Sequence, residues 1–375
     1  MTAAPFDAFR YAHAHRNEIA WLSQNTNHLV PPEVFRGALE EAIRERRYEG
    51  YPLGSGDPEL LELARADLGL SGVVPFVTGG GTESLYMITR ALLQRGDEVL
   101  ASDPSYLIIH KFIDLAGART KALDIYQPPF RLTADRIQEA IGPSTRMILL
   151  IDPLNPLGSG YPREEVRALA EIAHDRHLTL LNDVTYRDFS DGHALAAEFA
   201  PEETVTVWSV SKNCGLAGMR LGGFVAPREV VTSIARYNTN DLGVNIMAQV
   251  AAKAALRTKA SWIGGVVRQT RQNCERIRAI AQAVPGTTVP VFPSRANMTV
   301  LDIAATGVSP DALQEEMLRN HGVFVRSGTY LSPTHGQRFV RLSFSNPPAD
   351  IERFARAFPE ALRTLGARVP VPPAG

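Results

Sequence analysis

The sequence predicts an α/β protein: a mostly parallel central sheet sandwiched by helices, with a smaller α+β lobe attached. Three observations predict it. At 375 residues the chain is too long for one small core. From about residue 72 to residue 226, short continuous apolar runs alternate with helical patterns, as in a parallel sheet covered on both faces. After about residue 245 the texture changes to long helices followed by shorter strands, which reads as a second lobe. With 45% hydrophobic and 21% charged residues the chain has an ordinary globular balance rather than a disordered one.

In chain order, the amphipathic segment PPEVFRGALEEAIRERR (31–47) opens on a Pro pair suited to a helix start and joins the small lobe to the large one. Its Arg44–Arg47 run reads as a solvated last turn. Strands are expected at EVLASD (98–103), RMILLID (146–152), LTLLND (178–183), TVTVWS (204–209) and GGFVA (222–226). Helices are expected between them, near 82–94, 105–117, 133–141 and 163–177. Two further helices (245–256 and about 260–284) precede strands around 297–303 and 338–345 and a closing helix near 349–365. The expected division is a large domain over 46–252 and a small domain from 1–45 plus 253–375, with a Pro-rich tail after Arg368 that frays.

A net charge of −1 provides no global field to recruit nucleic acid or an anionic membrane. Two cysteines, Cys214 and Cys274, make no disulfide framework and sit in no metal-ligand spacing. His13 and His15 lack a nearby carboxylate and read as a solvated helix face, so no metal is expected. The start, MTAAPFDAFRYAHAHRN, has no apolar leader core, and no run has the length of a membrane span. A cytoplasmic protein is expected.

A parallel sheet presents binding groups at strand C-terminal ends, and the chemistry is sought there. Ser209-Val-Ser-Lys-Asn-Cys-Gly-Leu-Ala-Gly-Met-Arg220 puts Lys212 directly after an apolar strand. Its ammonium must there be desolvated or paired, and a desolvated lysine is what Schiff-base chemistry needs. Ser209, Ser211 and Arg220 can cradle a phosphate. Taken alone, the stretch fits a surface lysine on a Gly-rich turn equally well. Val77-Thr-Gly-Gly80-Gly81-Thr82 is a glycine-rich turn opening a helix, where free N–H groups bind anions. It is neither GxGxxG nor GxxxxGK[ST], so dinucleotide and nucleoside-triphosphate readings lose support. Asp183, at the end of LTLLND, fits either a counter-ion or a helix N-cap.

Together these motifs resemble the fold-type I pyridoxal 5′-phosphate (PLP) enzymes, specifically the class I/II aminotransferase superfamily, over nearly the whole chain and in the family's order. The resemblance implies an aminotransferase-like PLP fold type I, PLP as cofactor, and Lys212 as the lysine that forms the Schiff base. It implies Arg220 as a phosphate ligand and Tyr51, in YPLGSGDPEL, as a residue reaching the phosphate of the partner subunit in a homodimer with shared active sites. Tyr106 (DPSY) would stack on the pyridine ring, and Asn155 (DPLNPLG) would bond its 3′-oxygen. Asp183 and Tyr186 (DVTY) would hold the ring nitrogen's proton and the 3′-oxygen. Arg341 (RFVRLS) would grip the substrate carboxylate. The loop departs from the family's N-P-x-N-P-T-G at Asp152, Leu154 and Leu157. LSQNTNHLVPPEV, NDLGVNIMAQVAAKAAL and VFPSRANMTVLDI are similar to segments of histidinol-phosphate aminotransferases. There Asn27 and His28 would line the substrate entrance, with His28 where a proline is usual.

Three function classes follow: an aminotransferase on an amino acid or related amine, a non-transaminating PLP enzyme of the same fold (decarboxylase, β/γ-elimination or replacement enzyme, cyclase or oxidase), and a non-enzymatic sensor. The sensor is the least favoured, because about 50 residues before Tyr51 leave no room for a DNA-binding module.

Overall fold

The computed structural model describes residues 6–367; the Pro-rich tail lies outside that range. Its strands are β1 (Ala20–Trp21), β2 (Val74–Thr78), β3 (Glu98–Asp103), β4 (Arg119–Asp124), β5 (Thr145–Ile151) and β6 (Thr179–Asp183). They continue as β7 (Thr204–Ser209), β8 (Gly222–Ala226), β9 (Met298–Asp302), β10 (Val323–Phe324), β11 (Arg326–Ser327) and β12 (Phe339–Ser343).

Seven strands form the large sheet in the order β2-β8-β7-β6-β5-β3-β4. All neighbours pair in parallel except β8, which runs antiparallel to both β7 and β2. Every residue of β3, β7 and β8 is buried, which is why these strands read as unbroken apolar runs. The two strands of this sheet not expected from the sequence, β2 and β4, are its edges. Pro75 in β2 is tolerated because the strand pairs only with β8, and β4 (RTKALD) is largely exposed and carries no apolar run.

The helices preceding and flanking this sheet are α1 (Ala8–Ala14), α2 (Glu33–Arg44), α3 (Pro58–Leu68), α4 (Gly81–Leu92), α5 (Ile108–Leu115), α6 (Ala134–Ala140) and α7 (Arg163–Asp175). Then come α8 (Arg228–Ala235), α9 (Ile246–Arg257), α10 (Lys259–Ala283), α11 (Pro310–His321) and α12 (Pro348–Thr364). Helix α3 starts where Asp57 accepts the Glu59 and Leu60 N–H groups and Pro58 takes the first turn. Helix α2 stops at Arg44, short of the expected Arg47, because Arg46 turns left-handed and a 3-10 turn (Arg47–Glu49) follows. Neighbouring residues of one strand, such as Phe76 and Val77, Val207 and Trp208, or Phe224 and Val225, fall in different apolar clusters. Successive side chains point to opposite faces, so both faces of the sheet are packed.

The smaller sheet, β11-β12-β9, is antiparallel and places Arg341 opposite Arg326 on one side and Val300 on the other. A separate apolar cluster, with Leu301, Leu342, Ile277 and Phe354, joins this sheet to α10 and α12. β12 is buried throughout, so Arg341 is drawn inward with it.

Candidate active site

A cavity of about 410 Å³ opens at the C-terminal ends of β5, β6 and β7, with Ile151, Asp183 and Ser209 in its wall. The small sheet closes its other side with Arg326 and Arg341, and the segment before α2 contributes Ser23, Gln24, Asn25 and Thr26.

Lys212 follows β7 in a tight loop, and its ammonium donates to the Gln24 carbonyl at 2.9 Å. It keeps part of its surface open, yet burial, reinforced by the charges of Arg341 and Arg220, pushes its ammonium down to about 7. Asp183, the last residue of β6, accepts from the Thr185 N–H at 3.0 Å and the Thr185 hydroxyl at 2.6 Å through one oxygen. Burial raises its carboxyl despite those donors, so the site favours a cation beside it. The Tyr186 hydroxyl accepts from the Asn25 amide at 3.0 Å, and burial raises its phenol. Tyr106 meets the Thr82 hydroxyl at 3.2 Å.

Arg341 donates to Asn155 Oδ1 at 2.8 Å and to the Ser23 carbonyl, while its buried Nε has no partner. Burial lowers its guanidinium to about 10, with Arg326 adding and Tyr186 opposing.

At the opposite end, Gly81, Thr82, Ser209, Ser211 and Arg220 line the cavity together. Helix α4 starts at Gly80 with no side-chain cap, so its first-turn N–H groups are available to an anion. Gly80 itself sits behind the wall at φ +110°, and a Cβ there would lie 2.6 Å from the Arg220 guanidinium. Hydroxyls, helix N–H groups and a guanidinium facing one space form an anion cradle that only a glycine leaves open. The residues present therefore fit PLP: a phosphate cradle, an aromatic platform at Tyr106, a buried carboxylate and a titratable lysine share one cavity.

Neither Asn27 nor His28 is among the residues lining this cavity in the single chain. Asn27 spends its side chain on the Asn213 carbonyl (3.1 Å) and the Leu29 N–H (3.0 Å). His28 meets the Thr26 hydroxyl at 2.7 Å and lies against the small lobe through Ser345. Residues 23–26, just before them, line the site instead. Tyr51 is 80% exposed and lies outside the cavity within the single chain. Phe9, Asn25, Arg326 and Tyr330 line the site without having been read from the sequence.

The sequence matches the model of the family "Aminotransferase class I and II" over residues 17–358. It is 29% identical over 326 residues to an aspartate aminotransferase of Pyrococcus horikoshii, covering 82% of each chain. It is also 29% identical over 347 residues to an aspartate/prephenate aminotransferase of Thermus thermophilus, covering 88% of each. Among solved structures, a Thermus thermophilus aspartate aminotransferase with maleate superposes with a TM-score of 0.82 at 24% identity, over 96% of this chain and 97% of that one, a likeness of fold. None of these three is named for histidinol phosphate, the subtype expected from the sequence.

Proposed function

The chain belongs to the class I and II aminotransferase family and is a PLP-dependent aminotransferase, and on that premise we propose that Lys212 carries the cofactor and moves the substrate's α-proton while Arg341 holds the substrate carboxylate. The observation that carries this reading is the lysine whose ammonium stands at about 7 in the cavity that also holds Asp183 and Arg341.

When bound, PLP supplies an aldehyde carbon and an electron-withdrawing ring through which an amino group passes between substrates. A lysine near 7 is half neutral at neutral pH, so Lys212 can act as nucleophile and can both take and return a proton. Asp183 would face the ring nitrogen, and a proton held there would offset the desolvation of its carboxylate. Gly81, Thr82, Ser209, Ser211 and Arg220 hold the phosphate, with Gly80 giving them room. Tyr106 would pack on the ring, and Asn155 and Tyr186 would hold its oxygen substituent; all three line the cavity.

Arg326 supports a substrate with a second anionic group. It lies in register with Arg341, lines the cavity, and is stacked 3.7 Å from the Tyr330 ring and 4.5 Å from the Phe9 ring. A dicarboxylic amino acid fits two guanidiniums, and both relatives above are named for aspartate. The protein works as a homodimer in the cytoplasm, with Tyr51 completing the partner's phosphate site. Exposed Ile43, Tyr48, Tyr51 and Leu53 supply an apolar face for that contact. The large domain takes 46–252 and the small domain 1–45 plus 253–375.

The test adds aspartate to the holoenzyme and follows cofactor absorbance and product mass. One equivalent of 2-oxo acid per site is expected, and borohydride added to a separate sample before the aspartate should fix the cofactor to the peptide containing Lys212. Release of carbon dioxide or free ammonia, or labelling of another lysine, would overturn the reading.

A further inference from the structure

Outside the cavity lining, four charged side chains form a chain of ion pairs, Arg187–Asp67–Lys259–Asp188, beside the Lys212 loop. The Lys259 ammonium bonds Asp67 Oδ1 at 2.6 Å and Asp188 Oδ1 at 2.5 Å, and Arg187 pairs with the other Asp67 oxygen. Two carboxylates and two cations balance, with side chains only 10–19% exposed. Burial alone would raise the Asp188 carboxyl, but Arg187 and Lys259 hold it below its usual range.

Stability does not account for this arrangement. Lys259 is the first residue of α10 and Asp67 the last but one of α3, so each charge opposes its own helix dipole. Buried lysines are rare, and a buried ion pair rarely outperforms apolar packing of the same volume. What the network reaches is more telling. Arg187 and Asp188 directly follow Tyr186 on the turn that leaves β6 and Asp183. Asp188 Oδ2 accepts the Asn213 amide at 2.6 Å, and Asn213 directly follows Lys212.

Asn213 is fully engaged: its Oδ1 accepts the Cys214 N–H at 2.8 Å, and its carbonyl accepts the Asn27 amide at 3.1 Å. Next in the loop, Gly215 (φ +67°) leaves no room for a side chain, since a Cβ would meet the Asn27 carbonyl at 3.0 Å. The contact found for the Lys212 side chain itself is the Gln24 carbonyl, so its location depends on where Asn213 is anchored.

We propose that Asp188 and Asn213 are positioning residues: through the Lys259–Asp67–Arg187 network they tether the Lys212 loop to the turn carrying Asp183 and Tyr186, and so set where the lysine stands. The proposal rests on Lys212 as the cofactor lysine. Asn213→Ala cuts the tether and leaves all four charges in place. A lysine released toward solvent escapes the burial that depresses it. The pH midpoint for reductive alkylation of Lys212 by a small aldehyde in cofactor-free protein, read by peptide mass, should therefore rise from about 7 by at least about one unit. In the holoenzyme kcat should fall about 10- to 100-fold with KM unchanged, as expected for a reacting group displaced by a fraction of an ångström to an ångström.

Asp188→Ala should behave in the same way. Asp188→Asn keeps an oxygen for the Asn213 amide and should restore the midpoint, even at a lower melting temperature. An Asn213→Ala protein with wild-type midpoint and kcat would overturn the proposal. So would an Asp188→Asn shift as large as that of Asp188→Ala, since the missing charge would then be the cause. Should Asp188→Ala fail to fold, Asn213→Ala decides alone. Borohydride labelling of a lysine other than Lys212 in the wild type would instead defeat the assignment on which the proposal rests.

Discussion

Lys212, beyond the exit of β7 in the large sheet, and Arg341, within β12 of the small sheet, are cations facing the same cavity, and burial lowers both. The consequences differ because the starting points differ. A lysine that begins near 10.5 arrives at about 7 and titrates at neutral pH. An arginine, which begins far more basic, is lowered to about 10 and stays charged. Their contacts differ in the same sense: one carbonyl for the lysine, against a side-chain oxygen and a backbone carbonyl for the arginine. The same desolvation leaves a group that titrates at neutral pH on one wall and a permanent cation on the other.

Removing the titrating group should have the largest effect. Lys212→Ala should slow conversion of a bound amino acid at least about 10⁴-fold in single turnover, because acid–base and nucleophilic roles are lost together. A variant that still turns over would place the base elsewhere. Next comes the permanent cation. Arg341→Lys should weaken binding of an α-carboxylate substrate by about 2–5 kcal/mol while leaving PLP affinity unchanged, as calorimetry would measure. Equal affinities would make Arg341 structural and dissolve the contrast.

Asp183→Asn tests whether the large-sheet wall works as a unit. Loss of a directed electrostatic partner should lower the proton-abstraction rate about 100-fold, read from loss of the α-hydrogen to deuterated solvent. Unchanged exchange would reduce Asp183 to a helix cap. The smallest effect is in pH. Lys212 is the base only when neutral, so the rate constant for cofactor attachment should fall about tenfold per unit below about 7 and level off above it. Arg341 holds its charge across that range, so substrate affinity should show no matching step. A step in affinity at the same pH would break the comparison.

Strands β3, β6 and β7 were legible because they are buried on both faces and read as apolar runs, and two of them end at residues in the cavity wall (Asp183, Ser209). The edge strands β2 and β4 were not, since partial exposure and Pro75 blur their pattern. At the site, Lys212, Asp183, Asn155 and Arg341 stand in short contiguous motifs, and the structure brings them together. Asn25 and Arg326 belong to no such motif and enter through pairing between distant segments.

By itself the sequence determined which reactive groups are present and that Lys212 and Asn155 follow strands, Asp183 ends one and Arg341 lies within one, because strand patterning and motif spacing are local properties. Only the tertiary structure decided what those groups are like. Lys212 falls to about 7 through burial and through Arg341 on the other sheet, and Asn27 donates its amide to the Asn213 carbonyl of the Lys212 loop. Desolvation and charge act through space, and the neighbours that supply them are set by packing rather than by order along the chain.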